Sequence, residues 1–93
     1  MQIGVRSLIK MPKMTRNQQI LCIMMEECGE LIQACSKIMR FGSLQTEDIN
    51  KEMGDILVMM DLMIENGYIN PDEVEARKPR KIEKLKQYSD IIR

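Results

Sequence analysis

Apolar residues recur with a helical period along most of the chain, and two long helices can be read from that pattern alone. Residues 1 to 14 show no clear period and are left as an N-terminal arm or short turn. Thr15 then stands where an N-cap is needed, with Gln18 three residues on, the spacing of a capping box. The helix it opens stops at Phe41-Gly42, since Gly suits the position just past a helix end. "SLQTEDIN" is the turn into the second helix. Thr46 is its expected cap, and Glu47 and Asp48 suit the positive end of the helix dipole. This helix runs to Asn66-Gly67, a second stop signal.

Asn70, Pro71 and Glu73 then predict a third, short helix, with Asn70 as cap and Pro71 at its first position. Pro79 is expected to break it and to begin a last helix that aligns Ile82, Leu85 and Ile92 on one stripe. No segment reads as a strand. The expected fold is all-α: two long antiparallel helices and a shorter C-terminal pair, in one domain over residues 1–93.

The acids change the picture. At about 100° per residue, with Glu26 at zero, Glu30 falls near 40° and Glu27 near 100°. Ile23, Ala34 and Ile38 lie at about 60°, 80° and 120°, so Glu27 is flanked by apolar residues and Glu30 sits at the edge of that arc. On the second helix Met59 and Met63 fall within about 20° of Glu52, and Asp55 lands near Leu62. The polar face lies opposite, built from Asn50, Lys51, Gly54, Asp61 and Glu65. Each long helix therefore aims a carboxylate pair, Glu27 with Glu30 and Glu52 with Asp55, into the same interior.

Unpaired, such charges would cost several kcal/mol each. Basic residues on the facing surfaces would relieve them, but the two helices offer few there. Bound cations are the other remedy. Oxygen ligands without His or thiolate suit Mg2+ or Mn2+. Acids three apart on a helix are commonly just a solvated face; their place on the apolar side argues against that here.

Composition narrows the partners. The 93 residues include ten Met and no Trp, and aromatics make up only 3%. A core so small and pliable gains from a partner subunit. Net charge is zero, unlike the basic excess usual in binders of nucleic-acid polymers, although residues 76–93 hold about half of the Lys and Arg. Cys22, Cys28 and Cys35 form no CxxC pair and read as reduced thiols packed as small hydrophobes. With no His, the commonest general base is missing, and so is a di-iron carboxylate bundle, which needs Glu-x-x-His. "MQIGVRSLIKMPKM" is too short and too broken by charge and Pro12 for a signal peptide or membrane span. A cytoplasmic protein without a membrane partner is expected.

"EECGE" followed by "EMGD" resembles the EExxE…ExxD signature of MazG-like, all-α nucleoside triphosphate pyrophosphohydrolases. The likeness runs from residue 15 to about residue 90 and includes "DILVMMDLMIENGYI" and the lysine-rich "KIEKLKQY". It implies hydrolysis of an NTP or dNTP to the monophosphate and pyrophosphate. It implies metal ligation by Glu27, Glu30, Glu52 and Asp55, with Glu26 supporting them or orienting the attacking water. It also implies a homodimer or homotetramer whose helices form a joint bundle.

The β and γ phosphates need counter-charge besides metal. Lys81 and Lys84, on one face of the last helix, are the first choices, and Lys37 and Arg40 the second. Larger relatives have extra helices over the base; this chain lacks room for them, so the base and sugar remain open, a dUTPase-type preference included. The competing reading is a non-enzymatic, oligomeric helical interaction module whose acids pair with a basic partner. Such a module has no reason to sink Glu52 and Asp55 among Met and Leu.

Overall fold

The computed structural model describes residues 13–42 and 46–92. Three helices account for most of them: α1 (Arg16–Phe41), α2 (Glu47–Glu65) and α3 (Pro71–Tyr88). No strand occurs among the described residues. The expected arm falls outside them, apart from its last two residues.

The start of α1 is the expected capping box. The Thr15 hydroxyl accepts from the Gln18 N–H at 3.1 Å, and Gln18 Oε1 accepts from the Thr15 N–H at 2.9 Å. Gly42 closes the helix with φ of 100°, a conformation that favours glycine, and its N–H donates to the Ile38 carbonyl at 2.8 Å. Thr46 does occupy the position before α2, but its side chain makes no capping bond. Its helical backbone (φ −90°, ψ −11°) differs from the extended form in which a capping hydroxyl normally reaches back. Glu47 and Asp48 are left to complement the dipole. At the far end Asn66 Nδ2 donates to the Leu62 carbonyl at 2.7 Å, and Gly67 turns the chain at φ of 80°.

Polar clasps at both ends show that α1 and α2 run antiparallel. Arg16, at the start of α1, donates to Asn66 Oδ1 at 2.7 Å, just past the end of α2. Lys37, near the end of α1, meets Asp48 in the first turn of α2 at 3.3 Å. The two helices pack along their length; α3 packs extensively against neither.

The C-terminal pair of helices is not found. Asn70 does cap, accepting from the Asp72 N–H at 2.9 Å, but α3 then runs unbroken through Pro79 to Tyr88. Proline removes the bond to the carbonyl four residues back, here Glu75, at a cost of about 3 kcal/mol. Every residue from Pro71 to Lys84 is exposed, so water can serve that carbonyl. Ser89 ends the helix, its hydroxyl donating to the Leu85 carbonyl at 2.7 Å. Ile92 therefore lies beyond the helix and off the expected stripe.

The core between α1 and α2 is thin. Ile20, Ala34 and Met59 are its buried apolar residues. Glu27 and Glu52 are buried just as deeply, at 5% and 4% exposure. Two of the five buried residues among those described are thus acids, and the site lies in the core itself. No helix among the described residues is long and apolar enough to cross a membrane.

Candidate metal centre

Helix geometry explains why these acids are inside. Seven residues bring a helix almost back to the same face. Ile20, Glu27 and Ala34 are spaced by seven and form the buried line of α1; Glu52 and Met59 form that of α2. Each glutamate thus takes a position that helical periodicity reserves for a core residue. Asp55, one turn after Glu52, is half-buried beside them.

One carboxylate oxygen each from Glu27, Glu52 and Asp55 lies within 4.8 Å of the other two. Glu27 Oε2 and Glu52 Oε2 are buried and have no hydrogen-bond partner. Such groups carry a large desolvation penalty. Burial, first, and then the charges of Asp55 and Glu52 push the Glu27 carboxyl above its usual range. A hydrogen bond shared with Asp55 acts in the same direction, while Lys51 opposes the shift.

This donor set fits a divalent cation. It offers three hard oxygen ligands from two rigid helices, two orphaned buried oxygens and an excess of negative charge. Those properties match Mg2+ and Mn2+, which take carboxylate oxygens and keep several waters.

Beside the triad lies a cleft of about 200 Å³, with Glu30, Lys37, Asp48, Lys51 and Glu52 among its lining residues. Glu30, one turn after Glu27, is half-buried in this wall and stands outside the triad. Glu26 is half-buried and also outside it. Lys37 reaches the cleft while paired with Asp48. Arg40 turns elsewhere: its Nε donates to the Ser36 carbonyl at 3.4 Å, and its guanidinium lies 5.2 Å from the Phe41 ring centre. Lys81 lines a separate groove along α3 with Val74, Arg77 and Lys78, and Lys84 is exposed on the same helix. Neither lines the cleft beside the acids.

One participant is not where the sequence reading puts it. Lys51 belongs to the solvent face of α2, yet its ammonium turns back onto the triad. It lies 2.9 Å from Glu52 Oε1 and 3.4 Å from Asp55 Oδ2. These bonds, that to Glu52 foremost, raise its pKa above the ordinary lysine value. The Lys51–Asp55 spacing of four was the available signal, since such pairs meet on a helix surface.

Residues 15–88 match the model of the MazG nucleotide pyrophosphohydrolase domain. No curated protein and no solved structure matches the chain.

Proposed function

The chain belongs to the MazG nucleotide pyrophosphohydrolase family, and from that premise we propose that it hydrolyses a nucleoside or deoxynucleoside triphosphate to the monophosphate and pyrophosphate, with Mg2+ or Mn2+ as cofactor. The observation that carries this reading is the buried triad of Glu27, Glu52 and Asp55 with its two orphaned oxygens. A non-enzymatic adaptor gains nothing from such a cluster in its core.

Glu27, Glu52 and Asp55 would hold the ion, and Glu30, from the cleft wall, would complete the set. When bound, a divalent cation supplies counter-charge for phosphate oxygens and acidifies a water. The rest falls to the chain. With no His available, Glu27 accepts the proton of the attacking water and Glu26 helps orient it. Lys37 and Lys51 stand closest to where a triphosphate would lie, because both line the cleft. Lys81, Lys84 and Arg40 could add charge only from another surface, a neighbouring subunit's included.

We further propose that the working form is a homodimer or homotetramer. Met25, Ile32 and Met39 recur every seven residues on the outer face of α1 and are 67%, 70% and 89% exposed. A row of that spacing supplies one of the two apolar positions per heptad by which one helix packs on another. Leu57 and Val58 on α2 are also more than half exposed. A second copy of the chain would cover these residues and thicken a core that is thin in one chain. Nucleotide substrates and free thiols at Cys22, Cys28 and Cys35 suit the cytoplasm.

The test is product analysis on a panel of NTPs and dNTPs with Mg2+ or Mn2+. Monophosphate and pyrophosphate, lost on chelation and in Glu27→Gln, are the expected result. No turnover of any nucleotide by folded, metal-loaded protein would sink the proposal and leave the interaction module.

A further inference from the structure

Among the described residues, Lys51 pairs with the triad and engages two of its three members. Its ammonium sits on Glu52 Oε1 and Asp55 Oδ2, while the second oxygen of Glu52 and one of Glu27 stay buried and unpartnered. One positive charge is thus set against three carboxylates, on the side of the cluster that opens to the cleft. A divalent cation drawing on oxygens of all three residues would come within a few ångströms of that ammonium. Like charges at such a distance repel strongly in a half-buried site. The ammonium is free to leave: the Lys51 side chain is 60% exposed, and it lines the cleft together with Lys37. The other charged groups in the cleft wall, Glu30, Asp48 and Glu52, are acids, so a polyanion entering there has two lysines to meet it.

We propose that Lys51 is the resident counter-ion of the triad, which an incoming divalent cation displaces, and that the freed ammonium then binds substrate phosphate beside Lys37. This inference rests on the metal-dependent reading of the site. It makes Lys51 a residue with two partners in sequence: carboxylates before the ion arrives and phosphate afterwards. It also couples the two binding events, because a phosphate-binding charge becomes available only once the ion is in place.

The decisive measurement is Mn2+ affinity without nucleotide, by calorimetry, for wild type, Lys51→Met and Lys51→Gln, each checked for helicity. Removing a competing surface cation should tighten Mn2+ binding about two- to fivefold. The KM for the triphosphate should rise in the same variants by more than kcat falls. Unchanged or weaker Mn2+ binding would overturn the proposal while leaving metal binding by the triad intact. Failure of the wild type to bind Mn2+ would remove the metal reading and this inference together. A second readout uses the unaltered protein: acetylation of Lys51 by an amine-reactive reagent, followed by mass spectrometry. Mg2+ should speed it relative to the other lysines; equal or slower labelling would count against displacement.

Discussion

Glu27 of α1 and Asp55 of α2 bring carboxyl oxygens within 4.8 Å of each other across the helical hairpin, with Glu52 as the third member of the group. Two like charges facing each other across a packing interface oppose that interface. The hairpin therefore carries internal repulsion at its centre and polar clasps, Arg16 with Asn66 and Lys37 with Asp48, at its ends.

Glu27→Gln should stabilise the metal-free protein. It removes a buried charge from a nearly isosteric side chain and leaves an amide that can donate to Asp55. The melting temperature should rise by several degrees, since about 1 kcal/mol moves a domain of this size by about 4–8 °C. The same variant should lose at least about 100-fold in turnover, as expected when a group acting on the water's proton is removed. A lower melting temperature would show that the ionised form is not a burden.

The metal-free protein should be more stable at mildly acidic than at neutral pH. The Glu27 carboxyl titrates above its ordinary value of 4.5 when folded, chiefly through burial and the neighbouring Asp55 and Glu52 charges. Between those two pKa values the folded chain binds more protons than the unfolded one, so stability falls as pH rises through that window. Below 4.5 this contribution is fully present. Denaturation followed against pH should show the slope in wild type and a flatter profile in Glu27→Gln.

Mg2+ at 100 times its dissociation constant should stabilise the folded chain by about 2.7 kcal/mol. A chelator should reverse the effect. Glu52→Gln, which removes a proposed ligand that is 4% exposed, should abolish most of it. A melting curve indifferent to millimolar Mg2+ in the wild type would argue against the triad as a metal site.

Pro79→Ala should lengthen the life of α3 without touching the site. The substitution restores a backbone donor to the Glu75 carbonyl in a helix exposed from Pro71 to Lys84. Up to about 3 kcal/mol of local stability is available. Hydrogen exchange in residues 75–84 should slow, and Mg2+ affinity should not move.

Ile32→Asp should shift the proposed oligomer toward monomer in light scattering. Ile32 is 70% exposed at the middle of the outer row of α1, so within one chain a charge there should cost little. A wild-type protein that is already monomeric at micromolar concentration would defeat the self-association reading.

The buried acids were legible because periodicity alone fixes which face a helical position occupies. Glu27 and Glu52 follow from spacing, as do the capping box at Thr15 and the stops at Gly42 and Gly67. Lys51 was not legible in the same way. A wheel records where the Cβ points, and a lysine stem is long enough to carry its charge from one face to another. Pro79 misled for a related reason: the rule that proline breaks a helix presumes that the orphaned carbonyl has no other partner, and α3 is open to water. The place of Lys81 and Lys84 depends on what α3 packs against, which no pattern within a single helix encodes.

Two glutamates among the five buried residues of the described chain have a consequence for the life of the protein. If these side chains repel one another across the hairpin until an ion draws them together, then ion supply bears on the persistence of the polypeptide as well as on its substrate. Starved of divalent cation, the chain would open first at its middle, where proteases find an extended segment to cut.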